Sequence, residues 1–386
     1  MPRAPRTARV LRALRQIAPE RLAEAWDNVG LIAGDGAWRC RGVLLAIDTT
    51  GAVIDEAAGR RCDLIVSYHP PLFKPVSRLD GGSGETDALV VRALGERISI
   101  YSPHTAFDAA DGGANDALAG LCGLTDCRPV AAAAAPGRCK LVVFVPPEAL
   151  DRVANALFDA GAGWIGNYSS CSYRTQGTGT FYGEAGARPV VGQAGRLEQV
   201  DEVRIETICD RGRLAEAIGA LRSAHPYEEP AFDVYALEPL AEPRRGQGRI
   251  GRPSRPVTLA GLARKLSVAL RPHAGRVTVA TIGRAGTKLR RVMVVVGSAG
   301  GFPFEPHAGV EPLGAGDAVV TGEVRHHDAL RYARHGIGVV AVGHWASERP
   351  GLMALQRQLA AALPGLPVHV SRADRDPFAA PAPRSR

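Results

Sequence analysis

The sequence predicts an α/β core interrupted by a ferredoxin-like unit, and three observations predict it. Short apolar runs alternate with helical stretches over about the first 130 residues, the signature of a largely parallel sheet covered on both faces. Between the alanine run Ala131–Ala135 and Pro239 the rhythm becomes β-α-β-β-α-β. From Val257 the first rhythm returns, so the middle segment reads as an insertion into one domain.

Each element has its own justification. Arg9 to Glu24 is amphipathic and predicts a first helix. Val43 to Ile47 reads as a buried strand ending at Asp48-Thr49-Thr50, followed by a helix over Val53–Arg60 and a strand over Leu64–Ser67. A helix near Asp87–Gly95 leads into the strand that ends before His104. Gly112-Gly113 marks a turn, and Ala114–Leu121 a short helix. In the middle segment the expected elements are strand Lys140–Val145, helix Pro147–Ala160, a glycine-rich passage, strand Glu202–Ile208, helix Arg213–Ala224 and strand Ala231–Tyr235. Pro239 to Pro256, rich in Pro, Gly and Arg, reads as an exit linker. Helix Leu259–Leu270 then precedes strands at Val277–Ile282, Val292–Val296, Ala318–Thr321 and Val339–Val342, with a fraying tail after Arg372. The expected domains are 1–137, 138–240 as the inserted unit, and 241–386.

Composition narrows the function. With 386 residues, 46% hydrophobic and 22% charged, the chain is an ordinary globular protein of two or three domains, and no apolar stretch is long enough for a membrane helix. The net charge of +8 comes almost wholly from scattered arginines, and aromatic residues are only 5%, so nucleic-acid binding is not expected. The arginines from Arg3 to Arg15, with no acid before Glu20, have the charge of an organellar presequence, but Val10–Ile17 reads as a helix running into the domain. The seven cysteines lack C-x-x-C spacing and read as free thiols in a reducing cytoplasm.

The chemistry gathers at strand ends. Leu64–Val66, Ile98–Ile100 and Val339–Val342 lead to His69, His104 and His344, and binding groups in open α/β sheets collect beyond the carboxyl ends of strands. His104 and Asp108, like His344 and Glu348, stand four residues apart and share a face if a helix starts there. Imidazoles and carboxylates without thiolate suit Zn, Fe, Mn, Co or Ni. Asp48 ends another strand, where a substrate or supporting role competes with helix N-capping by Asp or Thr. Glu323, His326 and His327 follow a strand as well, with His326 a candidate for proton transfer. Gly297-Ser-Ala-Gly-Gly301 reads equally as a phosphate cradle or a plain glycine turn.

The motifs also resemble a known family. Glu24-Ala-Trp26-Asp27-Asn28-Val29-Gly30-Leu31, Ser67-Tyr68-His69-Pro70-Pro71, Tyr101-Ser-Pro-His104-Thr-Ala-Phe-Asp108, Thr321-Gly-Glu323-Val-Arg-His326-His327 and Gly343-His344-Trp-Ala-Ser-Glu348 resemble, in order, the Nif-three-like family of GTP cyclohydrolase 1 type 2 homologues. Tyr168-Ser-Ser-Cys171, Gly177-Thr-Gly-Thr-Phe181 and His225-Pro-Tyr-Glu-Glu-Pro230 resemble the PII/CutA-type domain inserted in its long form. The resemblance implies a core of mixed sheets with helices on both faces, and a homo-hexameric ring with a two-metal site in each subunit, which the departure at Tyr68 turns into an expectation of one or two divalent metals per subunit. His69, Asp108, His344 and Glu348 match its ligand positions, and His104 shares their pocket. The family pattern often reads Ser-His-His-Pro where this chain has Tyr68, and a neutral phenol is a weak ligand at pH 7. The implied function is a cytoplasmic metal-dependent hydrolase of GTP or a related nucleotide, with His104 or His326 moving protons and Tyr68, Asp48 and Glu323 in support. The alternative is a non-enzymatic metal-binding, metal-delivery or regulatory protein.

Overall fold

In the computed structural model, which describes residues 4–274 and 279–378, the chain divides into two units, Met1–Ala133 with Glu242–Arg386, and Ala134–Ala241. The first unit opens with α1 (Thr7–Ile17), β1 (Gly30–Ala33), β2 (Val43–Ala46), α2 (Gly51–Gly59), β3 (Leu64–Ser67), α3 (Thr86–Gly95), β4 (Ser99–Ser102), α4 (His104–Ala109), α5 (Ala114–Cys122) and β5 (Leu124–Ala134). The second unit contains β6 (Arg138–Val145), α6 (Leu150–Asp159), β7 (Ser172–Tyr182), β8 (Leu197–Asp210), α7 (Leu214–Ala224) and β9 (Phe232–Ala236). The chain continues through β10 (Ala241–Pro253), α8 (Leu259–Ala269), α9 (Arg271–Ala274), β11 (Ala280–Ile282), β12 (Arg291–Ser298), β13 (Asp317–Glu323), α10 (His326–Arg334), β14 (Gly338–Ala341), α11 (His344–Ala362) and β15 (Val368–Val370).

The first unit holds two mixed sheets, the core that the family resemblance implies, where the apolar rhythm by itself read as a largely parallel sheet. One runs β1-β4-β3-β2-β15, the other β11-β14-β13-β12-β10-β5. In the first, β15, β2, β3 and β4 are parallel and β1 is antiparallel; in the second, β12, β13 and β14 are parallel, flanked by antiparallel β11 and β10. Period-2 alternation makes both sheets two-faced. Val43 and Leu45 of β2 share one core with Val292 and Val294 of β12, while Leu44 packs against α2 and α3 residues and Met293 against Tyr332 of α10. Between the sheets lie apolar faces of α1, α5, α8 and α11. Helix α11 touches β2 and β15 on one side and β12 and β13 on the other.

The face of α11 that makes this contact carries Leu352, Leu355 and Leu359, all with no exposure. Their spacing of three and four is that of one helical stripe, and stepping back by fours and threes from Leu355 reaches Glu348 and His344. Core burial and site geometry are therefore set by the same rotation of one helix.

The second unit has sheet order β7-β8-β6-β9, antiparallel throughout, with α6 and α7 over one face. That is the ferredoxin-like arrangement of its β-α-β-β-α-β sequence. Its core joins Leu141, Val143 and Ile205 to Val153, Leu157 and Leu221.

Several expected elements differ. Of the amphipathic stretch Arg9–Glu24, the helix ends at Ile17, as read for Val10–Ile17, because Ala18 precedes Pro19 and a residue before proline is driven out of the α region. The Ala131–Ala135 run, read as a break, lies mostly in β5, and the Pro239–Pro256 stretch, read as a linker, is mostly β10. Neither has a β-branched apolar pattern. What holds β10 is Arg249, 1% exposed, whose guanidinium reaches Asp116 at 2.6 and 2.8 Å and the carbonyls of Ala110, Gly246 and Gly248. The glycine-rich passage of the middle segment is β7. Of the strand read at Val277–Ile282, residues 277 and 278 lie outside the described residues, as does the tail from 379. Among the described residues no helix is long and apolar enough to cross a membrane.

Replacing Leu355 by Ala, which empties the middle of the α11 stripe, is expected to cost about 2–5 kcal/mol. Urea denaturation against wild type measures it; a loss below about 1 kcal/mol would show that α11 is not the central packing element.

Candidate metal centre

Parallel strands of the two sheets end on a common site. After β3 come Tyr68 and His69, after β4 comes His104, after β2 comes Asp48, and after β14 the first turn of α11 supplies His344 and Glu348. The strand ends thus belong to two facing sheets, not to one rim. One ligand atom each from His69, His344 and Glu348 lies within 4.8 Å of the others. His69 Nε2 stands 3.3 Å from Glu348 Oε2, and His344 Nε2 stands 3.2 Å from Glu348 Oε1.

The outer nitrogen of each imidazole meets another carboxylate. His69 Nδ1 is 2.9 Å from Asp48 Oδ1, and His344 Nδ1 is 3.2 Å from Glu323 Oε1. A ring whose Nδ1–H is held by a carboxylate presents Nε2 as a lone pair, which fixes orientation and raises basicity. Asp48 is available for this because Thr50 caps α2, its hydroxyl accepting from the Val53 amide at 3.3 Å.

The buried carboxylate tests whether a cation belongs here. Glu348 is 3% exposed and its Oε2 has no hydrogen-bond partner, although His69 Nε2 is near. An ionised carboxylate is costly to bury unless positive charge faces it, and here that charge is supplied by the imidazoles of His69 and His344 when protonated or by a cation between them. Two imidazole nitrogens and one carboxylate oxygen fit Zn or another borderline divalent ion.

Glycine makes the room. At Gly297, φ is +64°, and a Cβ there would stand 2.9 Å from Glu348 Oε1 and 3.3 Å from His344 Nε2. The Gly297 amide donates to Ser347 Oγ at 2.8 Å and the Ala299 amide to Thr321 Oγ1 at 3.1 Å. Two amides of the Gly297–Gly301 run are thus engaged inside the fold, and Gly297 walls the site.

The other candidates fall into separate pairs. Asp108 stands outside the triad, and its Oδ1 accepts from the Tyr68 hydroxyl. His104 Nδ1 is 2.8 Å from Asp27 Oδ1, and Asp27 Oδ2 accepts from the Thr105 amide at 3.1 Å and from the Thr105 hydroxyl. His326 is exposed at the start of α10, with His327 as its ring neighbour. Asp27 was legible only as part of a motif; nothing in the spacing of residues 27 and 104 announces their contact.

Beside the triad lies a cavity of about 700 Å³ lined by His69, His104 and His344 together with Trp26, Phe73 and Pro70. Trp26 and Phe73 are 63% and 45% exposed, and each meets the His104 ring edge-to-face, at centroid distances of 5.9 and 5.6 Å.

Charge in the cluster is mutually stabilised. Burial opposes a charged His69, but the carboxylates of Asp48 and Glu348 outweigh it and push its pKa up to about 10. Pairing with Glu348 lifts His344 to about 9, against burial. Burial would raise Glu348, yet the two imidazoles hold it at about 2. Burial dominates at Asp108 and lifts it to about 7.

The chain matches the Duf34/NIF3 (NGG1p interacting factor 3) family over residues 5–377. A protein of Mycobacterium tuberculosis named GTP cyclohydrolase 1 type 2 homolog is 39% identical over 349 residues, 89% of each chain. A Bacillus subtilis protein of the same name is 33% identical over 375 residues, 96% of this chain and 97% of the relative. Among solved structures, a Bacillus cereus protein related to NIF3 superposes with a TM-score of 0.75 at 32% identity, covering 97% of this chain and 99% of its own.

Metal uptake should release protons, because both imidazoles must be neutral to ligate while His69 and His344 titrate near 10 and 9 in the metal-free protein. Calorimetry with Zn²⁺ in buffers of different ionisation enthalpy is expected to show about two protons released at pH 7, and fewer than one would contradict the assignment. The metal-free protein should behave oppositely to the loaded one. The stability from its raised imidazole pKa values is full below about 6.5 and is lost as pH rises through about 9 to 10. The contribution of Glu348 is present above its ordinary 4.5 and is lost as pH falls toward about 2. Asp48→Asn and Glu323→Gln should each weaken metal binding roughly 10- to 100-fold with the fold retained, as read by competition with a chromophoric chelator.

Proposed function

The chain belongs to the Duf34/NIF3 family, and from that membership and the triad we propose that it is a divalent-metal-dependent hydrolase acting on GTP or a related nucleotide. The observation that carries this reading is that, among the described residues, three protein ligand atoms converge, and they do so beside an open cavity. Structural zinc sites are closed by four protein ligands, whereas three leave a position for water or substrate. When bound, such an ion supplies acidified water, a nucleophile at neutral pH.

The chain's own residues would do the rest. His69, His344 and Glu348 hold the ion, and Asp48 and Glu323 keep the imidazoles aimed. His104, whose Nδ1 is tied to Asp27, is left with Nε2 for moving a proton at the cavity wall. Trp26 and Phe73, large apolar side chains left in solvent beside the cavity, suit the flat face of a purine base. The relatives' shared name supports choosing guanine nucleotides first. The reading carries with it a homo-hexameric ring, which light scattering at micromolar concentration checks.

A second reading, metal storage or delivery, is favoured by the 36% exposure of the His344 side chain, which leaves one ligand open to exchange. One experiment separates the two. Natively purified protein is assayed for metal and then incubated with GTP, ATP, GMP and guanosine, products being resolved by chromatography. Hydrolysis is expected for a guanine nucleotide and should vanish with Glu348→Gln. His104→Ala should lower turnover about 10²- to 10⁴-fold with metal content unchanged. Metal retained with no turnover on any nucleotide would establish the delivery reading, and turnover indifferent to chelation would overturn both.

A further inference from the structure

We infer that the ligand set of this chain closes on one metal ion per chain, because Tyr68 supplies no ligand nitrogen and holds one oxygen of Asp108. The inference rests on the metal-centre reading above and deepens it.

Around the triad stand five further imidazole or carboxylate groups, enough in residue type for a second ion. Their partners decide otherwise. Asp48 and Glu323 face the outer nitrogens of the triad histidines. Both oxygens of Asp27 are engaged, one by His104 and one by Thr105. Asp108 Oδ1 accepts the Tyr68 hydroxyl. With Glu348 counted in the triad, what remains among the described residues for a second ion is His104 Nε2 and the far oxygen of Asp108, fewer protein ligands than even an open site uses.

The phenol is held in place. Tyr68 has no exposure, its ring lies edge-to-face on His69 and His104 at 5.4 and 5.8 Å, and its backbone amide donates to Ala46 at 2.8 Å. Asp108 is fixed on α4 in turn, its carbonyl accepting from Asn115 Nδ2 at 3.0 Å. A hydroxyl keeps its one proton on the nearest strong acceptor, and here that acceptor is the carboxylate a second ion would need. The two-ion site implied by the family resemblance therefore does not fit these residues. An imidazole at position 68 would add a ligand nitrogen and free Asp108 at once.

The test counts metal. Purified wild type is stripped with chelator, reloaded with excess Zn²⁺, desalted, and its zinc measured by mass spectrometry against amino-acid analysis. About one Zn²⁺ per chain is expected for wild type and for Asp108→Asn, and about two for Tyr68→His. Two tightly held ions in wild type, loss of the ion in Asp108→Asn, or a folded Tyr68→His that still holds one, would each overturn the inference. Should Tyr68→His fail to fold, the wild-type count and Asp108→Asn decide it. No zinc in wild type would instead overturn the metal-centre reading itself, so the two failures are distinguishable.

Discussion

The site depends on the wedging of α11 between two sheets. Its leucine stripe has apolar partners on both sides, so the helix has neither translational slack nor freedom to rotate. Because helical periodicity ties residues four apart to one face, fixing Leu352 and Leu355 also fixes Glu348 and His344, about one and two turns before Leu352. A side chain at a helix start over a parallel strand end is among the more rigid places to mount a ligand. Gly297 and Gly322 complete the mounting. A Cβ at Gly322 would stand 2.7 Å from the Cα of His344, so the strand ends can approach the helix only as glycine.

Around that mount, acids and imidazoles alternate. Asp48, His69, Glu348, His344 and Glu323 form a chain in which each imidazole lies between two carboxylates. In water such pairs contribute little, but Glu348 is buried, and an uncompensated charge there would cost several kcal/mol. Protons on the two imidazoles meet that requirement in the metal-free protein, and a divalent cation meets it with the imidazoles neutral. The same groups therefore stabilise either state, and pH selects between them. This is how a buried carboxylate can persist in the fold before and after loading.

Tyr68 and Asp108 sit beside this chain without joining it, and Asp27 with His104 forms a further closed pair. The cluster thus separates into a part whose ligand atoms converge on one centre and parts hydrogen-bonded among themselves. Residue type alone does not make that separation: Asp108 and Glu348 are both carboxylates four residues after a histidine. Only the phenol opposite one of them, and the bare glycine opposite the other, tells them apart.

Much of this was legible beforehand. Apolar runs identified most parallel strands, the i, i+4 spacing identified the His344–Glu348 face, and the changed rhythm after Ala131 identified the ferredoxin-like unit. These features are local, set by periodicity within ten or so residues. What sequence reading missed was held by long-range contacts. Strand β10 depends on a buried arginine paired with Asp116, and the apparent single sheet is two, because an apolar strand does not encode which neighbour it pairs with. The pairing of His104 with Asp27, and of Tyr68 with Asp108, spans 77 and 40 residues. Sequence supplied most of the groups that reach the site, though not the place of His326 or of Asp27; tertiary structure decided those places and which groups remain free to bind, because a hydrogen-bond partner is a fact about neighbours in space.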